Sequence, residues 1–160
     1  MTKNEFYEVV MANYRPAEKL IGMVPPDKLN WQPGPNFMSA GQLICHLSGG
    51  MGAGLERLLA GKLPSREEMA EGMKLQNLAS CAPQAALEKL DKDKKILRRV
   101  LDSVTEEDFT NKVVSAPWGT TKLEPMAVGF LGHFNNHKMQ LFTYLKLLGL
   151  PVDTQTLYGM

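Results

Sequence analysis

Three histidines are the residues of this chain whose types and spacing point to chemistry. His133 and His137 are four residues apart, and His46 precedes them in another segment. In a helix, side chains four residues apart lie on one face with Cβ atoms about 5–6 Å apart, which suits two ligands of one metal ion. If the segment of His46 packs beside that helix, the three imidazoles converge. The sequence therefore predicts a divalent-metal site of His46, His133 and His137.

Two interpretations of these histidines remain open. Histidines on apolar helix faces also occur as core residues whose rings bond to carbonyl groups or water. The metal interpretation is favoured because all three occupy rows that the pattern directs inward, where uncompensated imidazoles cost free energy. The residue after His133 is Phe134, so the H-E-x-x-H motif is absent and a zincin-type protease is excluded on that motif.

Four segments with helical hydrophobic spacing must position these residues, and they predict an all-α fold, an antiparallel four-helix bundle. They span residues 2–24, 39–61, 83–104 and 124–148. In the first segment, Pro16 predicts a kink or two half-helices, because it cannot donate to the carbonyl four residues earlier. The second is predicted as one helix, opened by a capping box of Ser39 and Gln42 and ended by Gly61.

The last helix is predicted to start with Pro125 in its first helical position and to end before Gly149. Its apolar residues extend nearly all the way around. Such a helix is central in a core or covered by a partner, so a homodimer is expected.

Four glycines, Gly49, Gly50, Gly52 and Gly54, interrupt the second helix. Each costs roughly 1 kcal/mol relative to alanine in a helix interior, so they need a reason. One reason is the close approach of a neighbouring helix or subunit. The other is space beside the metal, because Gly50 follows His46 by four residues. The sequence does not decide between them.

The connections carry both tryptophans. Trp31 lies in the proline-rich segment 25–38, and Trp118 lies in segment 105–123, which is predicted to contain a short extended excursion or turn. For both, packing is favoured over stacking on a ligand. The long segment 62–82 predicts a crossover with a short surface helix.

Composition narrows the class of protein. The chain has 160 residues, 44% hydrophobic, and a net charge of +1, so we expect one soluble domain over residues 1–160 that binds neither nucleic acid nor membrane. With Cys45 and Cys81 alone, no disulfide framework is expected, and a reducing cytoplasm is the predicted location. Cys45 is predicted to be a small buried apolar residue rather than a ligand.

Several short motifs, taken in order, resemble the DinB/YfiT-like superfamily. They are Asp27–Pro33, Ser39–Leu47, His133-x-x-x-His137-Lys138-x-Gln140 and Tyr144–Gly149. The resemblance implies a four-helix bundle of up-down-down-up topology with a long crossover between helices 2 and 3. It also implies a homodimer and a divalent metal ion, zinc or nickel, held by His46, His133 and His137.

The resemblance implies several functions rather than one. The first is a metal-dependent enzyme of the thiol S-transferase type, acting on a small molecule with a low-molecular-weight thiol. The resemblance also includes thiol-dependent isomerases and members without known activity. Apart from the resemblance, the chemistry of a three-histidine site leaves two alternatives, a metal-dependent hydrolase and a non-catalytic bundle that binds metal or dimerises. No catalytic residue is assigned. Gln140 and Gln42 are candidates to orient ligands or substrate, although both also suit capping or surface positions. Lys138 departs from the arginine or histidine that members often carry there.

Overall fold

The computed structural model describes residues 1–160, which are mostly helical with one two-stranded sheet. The helices are α1 Lys3–Gly22, α2 Ala40–Leu47, α3 Met51–Leu59, α4 Arg66–Gly72, α5 Pro83–Asp102, α6 Glu106–Asn111, α7 Leu123–Leu147 and α8 Thr154–Tyr158. The strands are β1 Val113–Ala116 and β2 Gly119–Lys122, and single 3-10 turns span Pro26–Lys28 and Leu75–Asn77. None of the helices combines the length and hydropathy needed to span a bilayer.

The long helices pack around one apolar core. Helix α1 contacts α5 and α7, α3 contacts α5 and α7, and α2 lies against α7. Aromatic pairs join these helices inside the core: the Tyr14 and Phe134 rings stack with centroids 4.6 Å apart. This packing brings the segment of His46 against the helix of the other two histidines.

The second helical segment differs from the prediction, because it is two helices rather than one. Helix α2 ends at Leu47, and α3 begins at Met51 after Gly50, whose φ of −115° and ψ of −42° depart from ideal helical values. Gly61 lies beyond the end of α3 with φ +64°, the left-handed conformation expected of a glycine that ends a helix.

A buried carboxylate of α5 explains where α3 starts. Asp93 is 2% exposed, and its oxygens accept hydrogen bonds from the backbone N–H groups of Gly52 and Ala53, both at 2.9 Å. It also accepts a hydrogen bond from the Tyr14 hydroxyl at 2.7 Å. Because the first N–H groups of a helix lack partners within it, Asp93 caps α3 from a neighbouring helix.

Both explanations of the glycine cluster apply, at different positions. A Cβ on Gly52 would lie 2.4 Å from the backbone oxygen of Asp93, and one on Gly54 would lie 2.6 Å from the Phe130 ring. At Gly49 the crowding group is the Lys89 side chain. Gly50 alone of the four would meet nothing within 4 Å. Close packing therefore accounts for three glycines, and open space for the one that follows His46 by four residues.

Two other boundaries correct the predictions. Helix α1 continues through Pro16, so of the two predicted alternatives, a kink or two half-helices, the second is wrong. Tyr14 and Ala17 on either side of the proline are fully buried. Helix α7 begins at Leu123, so Pro125 is its third helical residue rather than its first. A proline is tolerated there because the early N–H groups have no partner within the helix.

The connections fit the sequence more closely. The capping box of Ser39 and Gln42 is present, and the Gln42 amide also donates to the carbonyls of Leu75 and Leu78 in the crossover. Helix α4 is the short surface helix of that crossover, and β1 and β2 form the extended excursion. The small helices α6 and α8 were not expected.

Cys45 and Cys81 form a disulfide in the structure, contrary to the prediction. Their Cα atoms are 5.0 Å apart, within the usual range for such a bond. Cys45 is buried as expected, but it is not an isolated apolar residue. The backbone N–H of Cys81 donates to the Gly41 carbonyl at 3.1 Å, so two contacts tie the end of the crossover to α2. Sequence spacing alone does not reveal this proximity.

Candidate metal centre

The three histidines meet where α2 packs against α7. His46 lies in the last turn of α2, and His133 and His137 lie one turn apart in the middle of α7. Each of the three residues offers one nitrogen, and these nitrogens all lie within 4.8 Å of one another. The helical spacing read from the sequence therefore produces the expected convergence.

The ring geometry suits a single metal ion. The Nε2 atoms of His46 and His133 are 3.2 Å apart. Two ligands at about 2.05 Å from a tetrahedral ion would be about 3.3 Å apart, which is close to this separation. The three rings are nearly perpendicular in pairs, with interplanar angles of 80°, 85° and 82°. The donor set and its spacing therefore fit a divalent ion that accepts imidazole.

Burial keeps two of the imidazoles neutral. The pKa of His46 is lowered to about 4, first because burial disfavours the charged ring and then because positive charge on His137 and His133 would repel it. Burial also lowers the pKa of His133, although this residue is the most exposed of the three. Because a metal binds the unprotonated nitrogen, rings whose pKa is lowered by burial are suited to be ligands.

A chain of hydrogen bonds fixes the ring of His137. The Tyr144 hydroxyl donates to the Met38 carbonyl at 3.0 Å and therefore accepts from the Gln140 amide nitrogen at 3.1 Å. The amide oxygen of Gln140 then faces His137 Nδ1 at 3.0 Å, so Nδ1 carries the proton. This leaves the lone pair of His137 on Nε2, the nitrogen available to a metal.

At the end of this series of hydrogen bonds, Tyr144 is covered by an aromatic ring. The Trp31 ring meets the Tyr144 ring edge-on with centroids 5.3 Å apart. The Trp31 carbonyl also accepts a hydrogen bond from the Ala40 N–H at 2.8 Å, which joins the proline-rich connection to the start of α2. We call this group, Trp31, Met38, Gln140 and Tyr144, the closed side of the histidine site.

The opposite side of the histidines is a cleft of about 890 Å³. It lies between α3, α7, the crossover and the β-hairpin, and all three histidines line it. Its apolar walls include Met51, Leu63, Met69, Met73, Trp118 and Phe130. We call this cleft the open side. A site with protein ligands on one side and a cleft on the other is typical of catalytic rather than structural metal sites.

Other candidate residues point elsewhere. The amide of Gln42 is engaged by the crossover and the capping box, so the capping interpretation holds for it. Lys138 is 6% exposed, and its ammonium donates to the Asn13 side chain of α1 at 2.9 Å, outside the residues that line the cleft. Tyr144 was named from the sequence only as the first residue of a family motif, although its hydroxyl belongs to the series of hydrogen bonds that begins at His137.

Comparison with known proteins identifies the family. The model of the DinB superfamily matches residues 12–141. The structure is similar to that of a DinB-family protein from Exiguobacterium sibiricum, with a TM-score of 0.69 and 19% identity over 96% of both chains. It is also similar to a DinB-like protein, YjoA, from Bacillus subtilis, with a TM-score of 0.67 and 14% identity over 92% of this chain and 96% of that one. No curated protein matches the chain. The match over most of its length shows that the chain belongs to the DinB superfamily, whose members bind divalent metals.

Proposed function

We propose that this protein is a divalent-metal-dependent enzyme of the thiol S-transferase type, with His46, His133 and His137 as the metal ligands. One observation carries the proposal: three convergent imidazoles face an open cleft, so a bound ion would keep positions free for a small molecule. A purely structural site would instead be enclosed by its ligands. Zinc and nickel are the proposed ions, because both accept imidazole nitrogen.

The proposed reaction joins a low-molecular-weight thiol to an electrophilic carbon. The thiol loses its proton to solvent, its sulfur forms a bond to that carbon, and the leaving group departs with the bonding electrons. A divalent ion, when bound, lowers the pKa of a thiol and stabilises the thiolate. The residues of the chain hold three imidazoles at one point, fix the tautomer of His137 and line the cleft with apolar side chains.

Metal content tests the first half of the proposal. Protein purified without a histidine tag should contain about one zinc or nickel ion per chain by elemental analysis, and His137→Ala should contain little. Asn136→Ala, an exposed neighbour on α7, is the matched control and should retain the metal. Absence of metal from the wild type, even after incubation with zinc or nickel, would remove the proposal.

Thiol consumption tests the second half. The metal-loaded protein is incubated with an alkyl halide electrophile and with cysteine, glutathione or another cellular thiol, and loss of free thiol is followed. Turnover by the wild type and none by His137→Ala supports the transferase. Hydrolysis of an ester without added thiol would favour the hydrolase alternative, and metal binding without either reaction would favour the non-catalytic one.

We also propose the finer architecture, in which α1, α2 with α3, α5 and α7 form an antiparallel four-helix bundle of up-down-down-up order. The contacts among these helices and the long crossover between α3 and α5 support it. A homodimer is proposed as well, because Val128, Met139 and Leu147 of α7 are exposed. A crystal structure tests the first proposal, and the mass in solution by light scattering tests the second.

A further inference from the structure

The shape of the open side carries information about what it binds. Gly129 precedes His133 by four residues on α7, and a Cβ on it would meet nothing within 4 Å, as at Gly50. Both glycines line the cleft. Two neighbouring helices therefore lack side chains beside the imidazoles, and the resulting space is continuous with the apolar walls. A volume of about 890 Å³ is large enough for a drug-sized molecule.

The two charged residues of the cleft differ in whether they already have hydrogen-bond partners. These residues are Arg57 and Glu68. The carboxylate of Glu68 accepts a hydrogen bond from the Ser65 N–H at 2.8 Å and belongs to the capping box of α4. Arg57 forms no ion pair, and its Nε donates at 3.3 Å to the Ala53 carbonyl of its own helix. The terminal nitrogens of this guanidinium are therefore free to donate to a ligand.

The helix sets the separation between the two ends of the cleft. Gly50 and Arg57 are seven residues apart, which in an α-helix is about 10 Å along the axis. A ligand that reaches from the imidazoles to Arg57 must therefore be a molecule of several bonds. Its middle would contact apolar and aromatic walls, and its far end would meet a cation. A guanidinium with free terminal nitrogens matches a carboxylate, which it can bind through two parallel hydrogen bonds.

We propose that the open side binds small organic acids that have an apolar body, with the carboxylate on Arg57 and the opposite end beside the histidines. This inference rests on the proposed function, because it names the class of electrophilic substrate that the thiol would attack. Arg57 is then the residue that selects acids, and the absence of side chains at Gly50 and Gly129 makes room for the reacting end.

Binding of matched probes tests this inference without metal or thiol. The probes are 6-phenylhexanoate and its neutral amide, titrated by calorimetry into the metal-free protein. We expect the acid to bind about tenfold more tightly than the amide. Arg57→Gln should abolish this preference and leave binding of the amide unchanged, whereas Lys92→Gln, which removes an exposed charge outside the cleft, should preserve it.

A glycine pair on α7 provides the second arm. Gly129→Leu fills the cleft and should weaken both probes at least about tenfold, since the new side chain displaces the apolar body. Gly132→Leu is the matched control on the same helix, because Gly132 also has nothing within 4 Å but does not line the cleft. It should leave binding unchanged. Circular dichroism and urea unfolding show that each variant is folded.

Several results would overturn the inference. Equal binding of acid and amide, or a preference that survives Arg57→Gln, removes the assignment of Arg57. Binding that is unaffected by Gly129→Leu places the ligand outside the cleft, and no binding of either probe removes the ligand class. Because neither metal nor thiol is present, this test is independent of the proposed transfer reaction: acids can bind where transfer fails, and transfer can proceed on a neutral substrate.

Discussion

The closed and open sides of the histidine site are built in opposite ways. On the closed side every polar group of Gln140 and Tyr144 near the site has a partner, and Trp31 covers them. On the open side Gly50 and Gly129 leave space, and Trp118 is 50% exposed with its ring against Phe130. The contrast supports the proposal that the closed side fixes the orientation of the His137 ring and the open side receives a molecule.

Tyr144 on the closed side and Trp118 on the open side should therefore differ most in their effect on stability. We expect Tyr144→Ala to lower the free energy of unfolding by about 3–5 kcal/mol, because it empties a buried site and breaks the hydrogen-bond chain. Trp118→Ala should cost less than about 1 kcal/mol, because half of its surface is already in water. Urea unfolding measures both.

Tyr144→Phe distinguishes the contribution of the hydroxyl to stability from that of the ring. It keeps the packing against Trp31 and removes the hydrogen bonds, so a loss of about 1–2 kcal/mol is expected. If Tyr144→Ala and Trp118→Ala lowered the free energy of unfolding by similar amounts, both sides would contribute equally to stability, and the contrast between the closed and open sides would be contradicted.

A substitution of Asp93 tests whether this residue of α5 stabilises the start of α3, which lines the open side. Asp93→Ala leaves the N–H groups of Gly52 and Ala53 without a buried acceptor, so we expect a loss of about 2–4 kcal/mol in urea unfolding. Amide exchange at these two positions should also become faster. Asp91→Ala is the control, because Asp91 lies on the same helix but is exposed and paired with Lys95. Unchanged exchange in Asp93→Ala would contradict the role of Asp93 as a cap.

The sequence was sufficient to predict that the three histidines meet, but not to predict what surrounds them. Helical spacing placed His133 and His137 on one face, and His46 joins them because its helix packs against α7, the condition that the prediction required. The break before α3 depends on Asp93, and the disulfide of Cys45 depends on Cys81, each more than thirty residues away. Such contacts between distant segments leave no periodic signal. The role of Tyr144 was missed although Gln140 and His137 precede it at helical spacing on α7, because the orientation of its hydroxyl depends on the distant carbonyl of Met38.

Gln140 should affect metal binding more than stability. Gln140→Ala removes the acceptor for His137 Nδ1, so the ring is no longer held in the tautomer that presents Nε2. Loss of such a partner typically lowers metal affinity about 10–100-fold. Competition with a chelator measures this in the zinc-loaded protein. Gln140→Glu keeps an acceptor for Nδ1 and should restore most of the affinity, whereas equal loss in both variants would show that the hydrogen bond to His137 is not what matters.

The last prediction concerns the dependence of stability on pH. The folded pKa of His46 is about 4, below its ordinary value of 6.5, because the ring is buried. Between these two values the unfolded chain binds a proton that the folded chain does not. The stabilising contribution of neutral His46 is therefore complete above pH 6.5 and declines as the pH falls toward 4.

In the metal-free protein, urea unfolding from pH 7 to 4 should show a shallower decline for His46→Gln than for the wild type. Because carboxylates titrate alike in both proteins, the difference isolates His46. Parallel curves would mean that the ring is as free to take up a proton when folded as when unfolded, and that burial between α2 and α7 does not keep it neutral.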